Sequence, residues 1–244
     1  MMDKTEIKDS SHKLVRDVTA HLSARRNAIR ELQNTEPTDR RVLTQNALLA
    51  AGRTLIANNG VAGASVGDIA KEAGFTRGAF YSNFTNMDHF VSAVARIEWQ
   101  SMLGDVEDVL AGWNYERDNP IDGAVEILLT VLPRDRERYL LWNEFSTYEI
   151  RFPQASDDIS EGSDNFYRAL GEILSTILDA FGLEPVGTLE DLIELIVALS
   201  SRSTRNEIID DSRSPQRGSS SSLIGRLLPD LIRAMTRPAG AQSS

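Results

Sequence analysis

Apolar residues recur at intervals of three and four along most of the chain, and strict alternation of apolar and polar residues is scarce. This spacing is typical of amphipathic helices, because 3.6 residues complete one helical turn. It predicts helices at about residues 5–33, 38–58, 66–73, 77–83, 86–110, 121–132, 135–151, 163–182, 188–208 and 222–236. The predicted fold class is therefore all-α.

Glycines and short polar residues delimit the predicted helices between residues 38 and 110. Gly60 is placed to end the first of them as a left-handed cap, and Gly74 to end the next. Ser65, Thr76 and Asn86 each stand directly before a helical stretch, where a side-chain oxygen can accept a hydrogen bond from the first free N–H groups. The segment therefore predicts three short helices followed by a longer one.

The same periodicity predicts which side chains are buried. Phe80 and Phe84 carry no polar atom, so we expect them to hold their helix against the apolar face of the first one. The predicted inward-facing residues of this region are Leu48, Ala51, Leu55, Ile56, Ile69, Phe80, Phe84, Phe90, Val94 and Ile97.

Three later connections have compositions that disfavour regular structure. Residues 153–164 are acidic and polar, residues 210–222 are of low complexity, and residues 237–244 have the composition of a fraying tail. We expect loops at the first two and a disordered tail over residues 239–244.

Composition narrows the possible classes of protein. The 244 residues are 41% hydrophobic, enough for a sizeable core, and include no cysteine, which excludes disulfides and thiolate metal sites. The three histidines lie far apart without metal-ligand spacing. No apolar run approaches the length of a membrane span and no signal peptide is recognisable, so we expect a cytoplasmic protein without bound cofactors.

Charge is unevenly distributed along the chain. Residues 1–90 hold 12 basic and 10 acidic residues, a net charge of +2, whereas residues 91–244 hold 14 and 26, a net charge of -12; together they give the overall -10. A front part that is slightly basic against an acidic remainder fits a protein whose front approaches a polyanion. Uneven surface charge without a partner is an equally good interpretation of charge alone.

Three predicted helices within about forty residues, separated by glycine-marked turns, match the helix-turn-helix pattern. In that motif the last helix enters the major groove of DNA, and its first residues meet base edges. Gly78 and Ala79 are small enough to let this helix approach the groove. Arg77 can reach a guanine edge or a phosphate, and the hydroxyl of Tyr81 suits a phosphate oxygen.

The stretch LLAAGRTLIANNGVAGASVGDIAKEAGFTRGAFYSNFTNMDHF resembles the DNA-binding domain of tetracycline-repressor (TetR) family regulators. It covers about 45 of the 244 residues, and the rest of the chain resembles the family only in being a helical region of suitable length. The matching positions are Ala51, Leu55, Gly60, Ser65, Val66, Ile69, Ala70, Ala73, Gly74, Gly78, Tyr81, Phe84 and Phe90.

The resemblance implies a two-part, ligand-responsive regulator, with repression the expected sign. An N-terminal extension (1–37) would precede a helix-turn-helix domain (38–86), a ligand-binding and dimerisation domain (87–238) and the tail. The expected partners are double-stranded DNA with a palindromic operator, a second copy of the chain and a largely apolar small-molecule effector, in the bacterial cytoplasm at the nucleoid. Helices near 166–182, 188–200 and 223–235 would form the dimer surface.

The expected DNA contacts are Arg40, Arg41, Ser65, Val66, Thr76, Arg77, Gly78, Ala79, Tyr81, Asn83 and Asn86. The residues expected to line the effector pocket are Trp99, Met102, Trp113, Trp142, Phe145, Tyr148 and Phe166. Aromatic residues at the spacing of 142, 145 and 148 are more often core than pocket, and only the resemblance favours the pocket.

Three features depart from the family pattern. Arg53 stands where the family usually has an apolar residue, and Met87 where it usually has a lysine that binds phosphate. The N-terminal extension is longer than usual. Its apolar stripe can pack on the body or on a dimer partner, and its arginines Arg25, Arg26 and Arg30 can instead extend the phosphate contacts.

Other functions can be set against the regulator. GASVG, residues 63–67, is literally G-x-S-x-G, but a hydrolase needs a strand before the serine and a suitable histidine after it. A helical-bundle enzyme would need a metal, nucleophile or phosphate-binding motif, and none is recognisable. A helix-turn-helix protein that has lost DNA binding and acts through a protein partner remains an alternative, given the acidic charge and Met87.

Overall fold

The computed structural model describes residues 39–112, 125, 128, 129, 132, 135–154, 157–180, 182–213 and 223–240. The helix predicted at 5–33, most of the helix predicted at 121–132, and Trp113 lie outside the described residues.

Helices dominate the described chain, as the periodicity predicts. The α-helices are α1 (Asp39–Asn59), α2 (Val66–Glu72), α3 (Arg77–Tyr81), α4 (Met87–Gly112), α5 (Arg136–Arg151), α6 (Asp157–Ala180), α7 (Leu189–Arg213) and α8 (Leu223–Met235). A 3-10 turn (Val61–Gly63) follows α1, and strands β1 (Leu183–Pro185) and β2 (Thr236–Pro238) form a small antiparallel ribbon. None of the helices in the described ranges is long and apolar enough to cross a membrane.

The chain divides into two compact units. The first unit holds the described residues of Asn27–Ser101 and Asp135–Asn165, and the second unit those of Met102–Arg134 and Phe166–Ser244. Helices α4 and α6 each begin in the first unit and end in the second. The first unit thus contains α5 as well as the helix-turn-helix segment, and the domain boundary expected between residues 86 and 87 stays a prediction.

Capping residues delimit the short helices of the first unit. Ser65 and Thr76 accept hydrogen bonds, both of 3.2 Å, from the backbone N–H three residues later, and Asn86 accepts one of 2.8 Å in the same way. All three predicted caps are confirmed. Gly74 has a φ of +75°, as predicted for the end of α2. Gly60 also has a positive φ, +73°, but its ψ of 166° is extended, so it is not the left-handed cap that was predicted.

A cluster of phenylalanine rings forms the core of the helix-turn-helix segment. Phe80, Phe84 and Phe90 are buried, with ring centroids 4.8–5.4 Å apart. Helix α1 approaches this cluster at Gly52, where an added Cβ would lie 2.2 Å from the Phe90 ring. The prediction that Phe80 and Phe84 face inward is confirmed. Ile97 is 42% exposed, so the prediction that it shares the buried face of α4 is wrong.

Helix α6 begins at Asp157, within the segment predicted to be a loop. The acidic composition of that segment concealed an apolar stripe that continues from Phe166 back to Ile159, both fully buried and one heptad apart. Acidic side chains at the start of a helix also suit its dipole. The loop predicted over 153–164 is therefore wrong from residue 157 onward.

A two-stranded ribbon in the second unit pairs the end of the described chain with the residues after α6. Strand β2 pairs with β1, and Ala239 donates a backbone hydrogen bond of 2.8 Å to Gly182. The Arg237 side chain bonds to Glu184 at 2.7 Å. The fraying tail predicted from residue 237 is thus wrong for residues 237–239, because a partner distant in sequence supplies the missing hydrogen bonds.

Candidate nucleic-acid interface

The five-residue helix α3 separates an anchored face from an exposed one. Phe80 is fully buried in the phenylalanine cluster, whereas Arg77 and Gly78 are exposed and Tyr81 is 58% exposed. Ala79 is half-buried. The helix is thus held by one ring and presents an arginine and a tyrosine one turn apart to solvent.

The Arg77 guanidinium lies across helix α2 at Gly67. A Cβ built on Gly67 would stand 2.5 Å from an Arg77 Nη atom and 3.0 Å from its Nε. The second glycine of the GASVG stretch therefore leaves room for the arginine. This packing connects the two helices of the motif through the side chain expected to read DNA.

The first turn of α2 gives the serine of GASVG a structural role. Ser65 accepts from the Asp68 backbone N–H, and its hydroxyl donates to the Asp68 carboxylate at 2.5 Å. A 3-10 turn precedes the serine, where a hydrolase would have a strand. Ser65 is exposed and Val66 half-buried, but the serine proton is already engaged by an acidic neighbour.

Asn83 faces its own helix end instead of solvent. Its amide donates to the Ala79 carbonyl at 2.8 Å, and its Oδ1 is buried with no hydrogen-bond partner among the described residues. The half-buried side chain thus terminates α3, which weakens the case for it as a DNA contact. Its predicted role was based only on position in the motif.

Helix α1 begins with two arginines, and the second of them contacts the residue that follows α3. Arg40 and Arg41 are exposed, and an Nη of Arg41 donates to the Ser82 carbonyl at 3.4 Å. The Arg41 side chain therefore adds positive charge beside the end of α3, as its predicted role in DNA binding requires. Asn86, at the start of α4, is exposed, but its carboxamide oxygen is used in the cap.

The departure at Arg53 has a clear structural explanation. Its guanidinium bonds to Glu98 of α4 at 2.5 Å and to Glu137 of α5 at 2.6 Å. The Glu98 side chain is only 8% exposed. Burial lowers the pKa of Arg53, but the two carboxylates more than compensate and raise it overall. The positive charge of Arg53, unusual for the family pattern, is therefore paired with carboxylates from two helices.

Helix α5 also contacts the turn after α1 and the first turn of α4. The Glu144 carboxylate accepts a hydrogen bond of 3.0 Å from the Val61 backbone N–H, directly after α1. Tyr148 donates its hydroxyl to the Asp88 carboxylate in the first turn of α4. Burial and this carboxylate both raise the pKa of Tyr148. Sequence reasoning did not identify these contacts of Glu137 and Glu144, since nothing local identifies the partners of a surface glutamate.

Several of the expected pocket residues pack on one another. Trp99 contacts Trp142 and Phe145, with ring centroids 5.0 and 6.0 Å apart in edge-on geometry. Trp99 and Phe145 are buried and Trp142 is half-buried. Met102 and Phe166 are buried in the second unit. The first unit thus brings three of the predicted aromatics together as a packed cluster, and their role as a pocket stays a prediction.

Within the described ranges, no group of histidine and acidic side chains could hold a metal ion. The exposed Arg77 and Tyr81 of α3 offer positive charge and hydrogen bonding. An anchored short helix with an exposed arginine after a capped turn is the arrangement found in helix-turn-helix motifs.

Comparison with known family models finds a match in the first unit. Residues 48–94 match the family model described as bacterial regulatory proteins, tetR family. The chain therefore contains a tetR-family domain over these residues, and its fold is shared with solved transcriptional regulators. No curated protein matches the sequence.

Solved structures of regulators share the fold. A transcriptional regulator from Rhodococcus sp. Rha1 is 20% identical with a TM-score of 0.62, over 78% of this chain and 95% of its own. E. coli NemR in its reduced form is 18% identical with a TM-score of 0.56, over 81% and 100%. The fatty acid degradation regulator FadR from Bacillus halodurans is 14% identical with a TM-score of 0.57, over 86% and 100%. At these identities the likeness is one of fold.

Proposed function

We propose that this protein is a ligand-responsive repressor that binds a near-palindromic operator as a homodimer. The observation that carries the proposal is helix α3, which is anchored by buried Phe80 and exposes Arg77 and Tyr81. A helix held in this way can enter the major groove without unfolding its own core.

The exposed side chains divide by the DNA group that each suits. The Arg77 guanidinium matches the two acceptors of a guanine edge, a contact that carries sequence information. Tyr81, Arg40 and Arg41 suit phosphate oxygens, which position the protein without reading sequence. The hydroxyls of Ser65 and Thr76 already serve as caps, so we assign them a smaller share.

A dimer would explain the exposed apolar side chains of the second unit. Leu195 on α7 and Leu227 on α8 are each more than 40% exposed, on two of the helices expected to form the dimer surface. Two copies of α3 in one dimer would meet half-sites about 34 Å apart, or a multiple of that spacing. A near-palindromic operator follows from the two-fold symmetry.

The effector would act through α4 and α5 together. The ion pairs of Arg53 and the contact of Glu144 with Val61 connect these helices to α1 and the turn after it. The Tyr148–Asp88 hydrogen bond joins α5 to the first turn of α4. The dimer would have two states that differ in DNA affinity. A ligand that displaces the packed rings of Trp99, Trp142 and Phe145 and binds one state better would shift the populations of the two states. A coupling of about 1–3 kcal/mol would change operator affinity roughly 5- to 150-fold.

The test is selection of binding sites from random duplex DNA, with Arg77→Ala and Tyr81→Ala beside the wild type. Arg202→Ala is the matched control, because it removes one exposed arginine from α7. We expect the wild type and the control to enrich the same near-palindrome and the other two variants to lose it. A wild type that enriches no sequence would contradict the proposal and favour a helix-turn-helix protein that binds a protein partner.

A further inference from the structure

His89 is an exposed residue in the first turn of α4, two positions after the methionine that stands in place of the family's phosphate-binding lysine. It was not among the expected DNA contacts. Five residues, 82–86, separate the end of α3 from the turn that carries His89. Met87 offers no positive charge to a DNA phosphate beside this turn.

The tautomer of the imidazole follows from its neighbours. The backbone N–H of Thr85 lies 3.3 Å from Nδ1 of His89, and the Thr85 hydroxyl lies 3.2 Å from the same atom. A backbone N–H can only donate, so Nδ1 must accept. In the neutral ring the proton then resides on Nε2, which makes that nitrogen a donor.

The ring is also held in place. Its edge-on contact with Phe84 has a centroid distance of 5.8 Å and an interplanar angle of 68°, and Phe84 itself is buried in the phenylalanine cluster. No described residue provides an acceptor for Nε2. The side chain is therefore an oriented, exposed donor without a protein partner among the described residues.

We propose that Nε2–H of His89 donates a hydrogen bond to a phosphodiester oxygen of the DNA backbone and takes over part of the work of the missing lysine. The proposal rests on the proposed DNA-binding function. Because the imidazole is neutral in this geometry, the contact strengthens binding to any duplex without displacing a counterion. It positions the protein on DNA and reads no base.

Two substitutions test the roles of the two ring nitrogens separately. His89→Asn keeps an acceptor near the position of Nδ1, so it can still bond to Thr85, but it does not reach to the position of Nε2. His89→Gln places an amide N–H near the position of Nε2 and gives up the Thr85 contact. The first variant thus tests the phosphate contact, and the second tests the local structure.

The affinity of each variant is measured on a duplex selected by the wild type and on a scrambled duplex of equal length, across a salt series, with the melting temperature recorded. We expect His89→Asn to bind both duplexes about tenfold more weakly per half-site, with an unchanged salt slope and melting temperature. His89→Gln should bind within about threefold of the wild type.

A second readout locates the phosphate. Methylphosphonate groups, which remove the charge and one acceptor oxygen, are placed one at a time along the selected duplex. One position per half-site should weaken the wild type and leave His89→Asn unaffected.

Three results would overturn the inference. One is equal affinity of His89→Asn and the wild type. Another is a loss in both variants that follows a lower melting temperature, which would make the histidine purely structural. A wild type that binds no duplex would remove the proposed function and this inference together, whereas failure of the His89 contact alone leaves the function standing.

Discussion

Helices α3 and α5 differ in how they relate to the rest of the first unit. Helix α3 has five residues, one buried ring and an exposed face. Helix α5 has 16 residues and reaches α1, the turn after α1 and α4 through Glu137, Glu144 and Tyr148. The short helix thus leaves most of its side chains exposed, whereas the long one is joined to three neighbouring elements. Stability and DNA binding should therefore respond to different substitutions.

The largest expected effect on stability comes from removing the anchor of α3. Phe80→Ala should lower the free energy of unfolding by about 3–5 kcal/mol, because it leaves a cavity at the centre of the phenylalanine cluster. Denaturant unfolding measures this change. The adjacent Tyr81→Ala is the control, and its exposed ring should cost less than about 1 kcal/mol while weakening DNA binding. Equal losses in the two variants would refute the distinction between the anchored and exposed faces.

An intermediate effect is expected at the ion pairs that join α1 to α4 and α5. Arg53→Ala should cost about 2 kcal/mol, since it leaves the buried Glu98 carboxylate without its partner. The double variant Arg53→Met with Glu98→Met should recover most of this loss, because no unpaired buried charge remains. Thermal and denaturant unfolding would measure both. A double variant less stable than Arg53→Ala would show that the charges themselves stabilise the fold.

The smallest effect is expected at Glu149 on α5. Burial raises the pKa of this half-buried carboxyl, and the nearby Asp164 raises it further. Because the folded-state pKa is raised, the charged form is disfavoured, and the destabilisation is present above that pKa and disappears as the pH falls below the unfolded value of about 4.3. Glu149→Gln should therefore stabilise the protein at pH 7, by less than about 1 kcal/mol.

The stability of Glu149→Gln is compared with that of Glu161→Gln, an exposed glutamate on α6, between pH 4 and pH 7. Relative to the wild type, only the Glu149 variant should become more stable as the pH rises from 4 to 7, because it lacks the carboxyl whose ionisation destabilises the wild type. A gain that is independent of pH would assign the effect to packing instead of ionisation.

Local signals made the helix-turn-helix segment predictable from sequence. The caps at Ser65, Thr76 and Asn86 and the buried Phe80 and Phe84 depend on neighbours within one or two helical turns, so spacing suffices to find them. The same holds for the exposed Arg77 at the start of α3, although its packing on Gly67 was not foreseen.

The features that sequence could not reveal join distant positions. The partner of Arg53 in α4 lies 45 residues away, and Arg237 pairs with Glu184 across 53 residues. A glutamate that pairs with a distant arginine has the same sequence signal as one in water. The donor nitrogen of His89 likewise depends on which ring atom Thr85 contacts, and that requires the geometry of the turn.

The central claim is that Arg77 on α3 gives this protein its sequence preference. The most direct measurement is the ratio of dissociation constants for a scrambled and a selected duplex at one salt concentration, for the wild type and Arg77→Ala. The account predicts a ratio of about 10³ or more for the wild type and at least a tenfold smaller ratio for the variant. A wild-type ratio near one, or a ratio that the substitution leaves unchanged, would contradict it.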